Sequence, residues 1–135
     1  MAGVSGPRVR APRTLVQKLG AIVLGFESII VFLAGLTVFG LRALPDGIPD
    51  WWGVVGGLAV AVAMIATAGA IARPGAIAVG WALQVVVLLA AVVVPAIALV
   101  ALIFGGMWAY ATIVGARLDR RGPAGPPADT HTESE

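Results

Sequence analysis

The chain contains no cysteine. That leaves no atom for a disulfide, a lipoprotein anchor, palmitoylation or thiolate ligation of a metal. Charge is almost as scarce: 12% of the residues are Asp, Glu, Lys or Arg, against roughly 25% in soluble domains. Histidine occurs once, as His131 in a polar C-terminal stretch, where solvation is expected rather than ligation. Lysine also occurs once, beside eight arginines, and with the abundance of Ala, Gly and Val this usage fits a GC-rich genome. In place of charge the chain is 59% hydrophobic, above the roughly 45–50% of soluble proteins. A chain of 135 residues has room for one domain, and a soluble domain of that size cannot hide so much apolar surface. The expected solvent is lipid. The net charge of +2 does not point to nucleic acid, because the basic residues stand at the ends of apolar segments rather than on one face.

Four such segments follow one another. Residues 1–13 show no hydrophobic periodicity and read as a disordered arm. Thr14 is placed to cap a helix beginning at Leu15, whose apolar run covers residues 19–41. At about 1.5 Å per residue that run measures roughly 34 Å, enough to cross a hydrocarbon core of about 30 Å. A basic leader before an apolar run also describes a signal peptide. This run is too long, contains Glu27 and is followed by further apolar segments, so a retained helix is expected. The loop from Arg42 to Asp50 carries Pro45-Asp46-Gly47 and Pro49-Asp50, which are turn chemistry. Asp50 is positioned to cap a second span over residues 51–72, with Trp51 and Trp52 at the membrane interface. Arg73-Pro74-Gly75 ends it. No charge then interrupts residues 75–116. As one helix that stretch would measure about 63 Å, twice a bilayer, so it has to fold back. Pro95 stands at its middle and predicts a tight hairpin near Val93 to Ala96, giving spans over residues 75–94 and 96–116. Residues 122–135, rich in Gly and Pro and then acidic, read as a disordered tail. The expectation is an all-α membrane protein, a four-helix up-down transmembrane bundle over residues 14–121.

Four crossings place Arg8, Arg10, Arg13, Lys18, Arg73, Arg117, Arg120 and Arg121 on one side and leave only Arg42 on the other. Eight against one predicts the plasma membrane with both termini in the cytoplasm and Lys18, Arg73, Arg117, Arg120 and Arg121 at the cytoplasmic interface. The lipid bilayer is the expected partner, with a homo-oligomer or a membrane-protein partner open and nucleic acid not expected. No cofactor is expected.

Glu27 is the one acidic or basic residue inside the spans, and such residues are costly enough in hydrocarbon to be functional candidates. It lies roughly 12 Å inside the cytoplasmic boundary, Gln84 roughly 13 Å, Tyr110 roughly 10 Å and Thr67 roughly 9 Å, at about 1.5 Å per residue. One polar residue from each helix therefore falls in a common layer, Glu27, Thr67, Gln84 and Tyr110. Small residues stand at helical spacing from them: Gly20 and Ala34 for Glu27, Gly80 for Gln84, Gly106 for Tyr110. Gly53 and Gly57 form a further small-residue pair on the second span. The layer has two readings. As structure, a neutral Glu27 carboxyl donates to the Gln84 amide and accepts from Tyr110, fastening helices together. As function, Glu27 is a proton or cation site reached from the cytoplasm. Ser28, Thr37 and Thr112 can bond their own helix backbone, Arg117 can reach toward headgroups, and Trp81 and Trp108 read as packing residues. No phosphate-binding loop, no nucleophile elbow, no His or Cys cluster and no second membrane carboxylate is present, so enzymatic activity is not expected.

The segments Leu24-Gly25-Phe26-Glu27, Phe39-Gly40-Leu41-Arg42-Ala43-Leu44, Gly80-Trp81-Ala82-Leu83-Gln84 and Gly115-Ala116-Arg117-Leu118-Asp119 together resemble an actinobacterial family of small four-span membrane proteins of unknown function. Its genes often neighbour that for folylpolyglutamate synthase. The likeness runs in order from about Arg13 to Arg121 and includes the Val94-Pro95-Ala96 step. It implies a plasma-membrane protein, carries no established activity, and places Glu27 and Gln84 within its motifs. Three functional classes follow: a non-enzymatic scaffold or accessory subunit; a small proton-coupled transporter or channel using Glu27; and, from the resemblance alone, a partner in folate metabolism. Small multidrug resistance transporters also have four spans and a carboxylate in the first. They often carry weak charge bias, unlike the eight against one here, and their carboxylate has aromatic-rich surroundings that this first span lacks.

Overall fold

The computed structural model describes residues 12–122 of the chain. The disordered arm and tail expected at the two ends lie outside the described residues, apart from Pro12, Arg13 and Gly122. Four helices follow in order, α1 (Leu15–Gly40), α2 (Trp51–Gly69), α3 (Ala76–Val93) and α4 (Ile97–Arg121). Each is long and apolar enough to cross a membrane, and they alternate in direction as an up-down bundle. One end of the bundle carries the start of α1, the α2–α3 turn and the end of α4, and with them Lys18, Arg73, Arg117, Arg120 and Arg121. It is called the basic end below. The bundle is inverted relative to a soluble one, with Phe26, Val92, Leu99 and Leu102 among the most exposed side chains. Helices that satisfy every backbone group internally and turn apolar side chains outward suit hydrocarbon and no other solvent.

The start of α1 is tied down twice. Thr14 and Gln17 form a reciprocal capping box, with the Gln17 amide donating to Thr14 Oγ1 at 3.3 Å and the Thr14 amide donating to Gln17 Oε1 at 3.2 Å. The amides of Leu15 and Val16 then donate to the two carboxylate oxygens of Asp119, at 3.0 and 3.2 Å. A carboxylate on the last turn of α4 thus completes the first turn of α1, where the helix dipole also favours a negative charge. At the same place Gly115 lets α4 close on Val16, which a Cβ would meet at 3.0 Å.

At its far end α1 stops with a left-handed residue, Arg42 at φ 50°. The amide of Ala43 donates to Val38 O and that of Arg42 to Phe39 O, the paired reverse bonds of a Schellman stop. Asp50 takes the N-cap position of α2 but makes no side-chain cap bond. That expectation is corrected: its backbone is already helical, and its carboxylate faces Arg42 at 3.8 Å instead. Trp51 and Trp52 stack at 4.7 Å and remain half-exposed. The second helix ends at Gly69, three residues short of the expected 72. Pro74 has no amide and its ring would strike the carbonyl of Ala70, so helix cannot run through it. Residues 70–73 turn instead, which folds Ile71 wholly under the bundle. Val94, preceding Pro95, is extended at φ −127°, ψ 97°, and α4 starts at Ile97, so the hairpin stands where the one proline of the uncharged stretch 75–116 puts it. Arg117 to Arg121 close α4 as helix past the expected span end at 116.

α1 is the hub, packing along α2 and α4, while α3 leans on α4 and touches α2 less. Its tightest contact is with α2. A Cβ at Gly35 would stand 2.6 Å from the carbonyl oxygen of Gly53, and one at Gly57 would stand 2.9 Å from Gly35 Cα. Three glycines therefore bring two backbones together, as membrane interfaces without a hydrophobic driving force require. Two outcomes are expected in thermal unfolding of the detergent-solubilised protein. Gly35→Ala, which forces these backbones apart, lowers stability by about 1–3 kcal/mol. Asp119→Ala, which strips two first-turn amides of their acceptor, costs about 1–2 kcal/mol, and an unchanged melting curve would show the cap to be dispensable.

Candidate functional site

Glu27 stands midway along α1, on the stripe formed by Gly20, Val23, Leu24, Val31 and Gly35, and is fully buried at 0% exposure. Gln84 stands on the inward stripe of α3 with Gly80, Leu83 and Val87 and is 7% exposed. The structure brings these two together across the bundle, with Gln84 Nε2 donating to Glu27 Oε2 at 2.5 Å. The remaining oxygens, Glu27 Oε1 and Gln84 Oε1, are buried without a protein partner. Among the described residues the one ion pair is Arg42 with Asp50, so no cation faces Glu27. Nor is there among them a group of three or more His, Cys, Asp or Glu side chains able to hold a metal.

Thr67 and Tyr110 do not join the pair. Thr67 is buried, yet its hydroxyl donates to Ala63 O of its own helix at 2.7 Å. Tyr110 is 64% exposed and faces outward, into a groove with Leu19, Ile103 and Gly106. The expected bond from Tyr110 to Glu27 is therefore corrected. Depth along the axis gave the level of the phenol but not its direction. The inward stripe of α4 is Ala101, Trp108, Ala111, Thr112 and Gly115, and Tyr110 lies about 200° round the helix from Trp108. Ser28, Thr37 and Thr112 bond backbone carbonyls of their own helices.

Trp108, expected as a packing residue, packs at the centre of the bundle. It is the largest fully buried side chain, and its indole lies between α1 and α3, where both helices present glycine. A Cβ at Gly20 would stand 3.2 Å from the ring, and one at Gly80 would overlap it. The signal was in the sequence: Gly20 and Gly80 stand seven residues before Glu27 and four before Gln84, and the space they leave serves the indole rather than a helix backbone. Indole Nε1 is buried without a partner, like the two oxygens above it. Trp81, also read as a packing residue, is 42% exposed.

Toward the basic end the neighbouring side chains Leu24, Ile71 and Trp108 are fully buried, the last two lying against Gly20. Toward the other end a cavity of about 320 Å³ opens among the helices. It is lined by Val31, Gly35, Gly57, Val87 and Val94, and begins one helical turn from Glu27, which does not itself line it. Chemically, the arrangement offers one buried carboxyl bonded to one amide, with apolar walls on both sides.

Residues 17–123 match the family described as "Protein of unknown function (DUF4233)". The chain belongs to that family. The matched stretch takes in all four helices of this DUF4233 chain except the first two residues of α1, and so includes Glu27, Gln84 and Trp108. No curated protein matches the chain, and no solved structure does.

Two substitutions separate the bond from the carboxyl. Gln84→Leu leaves Glu27 with no protein partner and is expected to lower stability by about 1–3 kcal/mol, whereas Glu27→Gln keeps an amide opposite Gln84 and is expected to cost about 1 kcal/mol or less. Melting curves in one detergent compare them, and a reversed order would contradict the pairing. Trp108→Ala opens a cavity between three helices and is expected to cost about 3–5 kcal/mol.

Proposed function

We propose that this DUF4233 protein is a non-enzymatic scaffold or accessory subunit of the plasma membrane, multi-pass, with both termini in the cytoplasm. What carries the reading is the enclosure of Glu27. The one carboxyl away from the helix ends is bonded to Gln84, with fully buried Leu24, Ile71 and Trp108 on one side and an apolar cavity on the other. A group that moves protons or ions needs a wet path to at least one surface, and polar residues that merely bond across helices do not. The orientation is supported by the basic end, since Lys18, Arg73, Arg117, Arg120 and Arg121 gather there and Arg42 alone stands opposite. The resemblance to actinobacterial four-span proteins is in keeping with a plasma-membrane site.

A proton-coupled transporter or channel built on Glu27 is the second reading. It is favoured by the two unpartnered oxygens of Glu27 and Gln84, and by the cavity ending one turn away. The two readings part in purified protein reconstituted in liposomes under a pH gradient. On the scaffold reading, wild type and Glu27→Gln give the same proton flux as empty vesicles while both remain folded. Flux in the wild type that is lost in folded Glu27→Gln overturns the scaffold and establishes transport.

A further inference from the structure

At the basic end, α3 and α4 enclose an outward-facing groove of about 510 Å³. Its floor is Ile77, Ala116 and buried Thr112, whose hydroxyl donates to Trp108 O, and exposed Ile113, Trp81, Arg117 and Arg120 stand at its rim. Three features of the chain build it. The two arginines are three residues apart on α4, so they project on one face. Side chains on a helix lean toward its N-terminus. The α4 arginines therefore lean back over the membrane-facing turn before them, and Trp81, on a helix running the other way, leans toward the basic end. The side chains converge from the two helices. The amino end of α3 also opens here, with Gly75 at its N-cap and no side-chain cap bond, so its dipole adds positive potential on this side.

Among the described residues, charge at the groove has one sign. Asp119 lies between Arg117 and Arg120 in sequence, but its two oxygens accept the amides of Leu15 and Val16, which turns it toward α1. No other carboxylate occurs on α4. Among the described residues neither Arg117 nor Arg120 is ion-paired, and both are exposed. Paired guanidiniums, an exposed indole and a mainly apolar floor match one kind of molecule. The guanidiniums and the indole suit the phosphate of a headgroup, and the floor suits the glycerol and upper acyl carbons.

We propose that this groove is a binding site for one anionic phospholipid, held by its phosphate between Arg117, Arg120 and Trp81. The site is independent of Glu27 and holds under either reading of that residue. It gives the basic end a specific lipid contact beyond the general attraction of cations to an anionic leaflet.

Native mass spectrometry of the full-length protein, titrated separately with phosphatidylglycerol and phosphatidylcholine in detergent, tests it. One phosphatidylglycerol is expected to bind about thirtyfold more tightly, the factor that two guanidiniums contribute at roughly 1 kcal/mol each. Arg117→Gln/Arg120→Gln removes the preference, and Arg73→Gln, at the same end but outside the groove, leaves it. Should the double variant fail to fold, Ala116→Phe fills the floor with both charges intact and is expected to remove the preference too. Equal binding of the two lipids overturns the proposal, as does equal loss with Arg73→Gln, which would mean diffuse charge. Full displacement by inorganic phosphate would make the site one for free phosphate. If phosphatidylglycerol binds only after Asp129→Asn/Glu133→Gln/Glu135→Gln, the chain's own acidic tail occupies the groove and the lipid assignment is wrong.

Discussion

Hydrocarbon offers no partner to a bare amide or carbonyl, and that constraint shapes this chain before any side chain is considered. The backbone can cross only as closed helix, and the chain must reverse wherever a helix would outrun the bilayer. The uncharged stretch from Gly75 to Ala116 is the place where this rule acts most forcefully. No polar residue marks the reversal, so it falls at Pro95, whose missing amide costs nothing in a hairpin and whose ring holds Val94 extended. Four crossings then follow, and the end of α4 returns to the start of α1. Asp119 makes that return specific by supplying the acceptors that the first amides of α1 lack.

Within the bundle, close approach is obtained by leaving side chains out. Lipid tails are as apolar as leucine, so helices gain little by hiding hydrophobic surface and gain more by packing area. The chain uses glycine in two different ways to that end. Gly35, Gly53 and Gly57 bring the α1 and α2 backbones into contact, and Gly20 and Gly80 make room for the Trp108 indole. The first joins neighbouring helices directly. The second lets one large ring bridge α1, α3 and α4, on the basic-end side of the Glu27–Gln84 bond.

The polar residues divide according to the face on which helical geometry puts them. Glu27 and Gln84 point inward and meet; Thr67 is buried but bonds its own carbonyl; Tyr110 looks out at lipid. The charged residues do the same at the basic end. Asp119 turns to α1, and Arg117 and Arg120 turn to the groove beside Trp81. A segment of five residues at the end of α4 therefore serves both an internal cap and an outward, positively charged surface.

Much of this was legible in the residues alone. Apolar runs separated by turn chemistry give four helices. The long uncharged stretch and its proline give the hairpin, Thr14 the start of α1, and the lopsided arginines the distinction between the two ends. These follow from local rules of length, propensity and charge, which need no knowledge of neighbours. The polar layer was legible in part, because rise per residue gives depth, and depth put Glu27 and Gln84 at one level. Azimuth is different. Which side of α4 faces inward depends on where its bulk fits, and that was decided by a tryptophan finding two glycines on other helices, with Tyr110 turned outward as the consequence. Likewise Asp119 carries no sign that it caps a helix more than a hundred residues earlier, since only the assembled bundle places the two ends within 3.0 Å. Length and charge act along the chain and can be read from it, whereas fit between faces exists only once the faces have met.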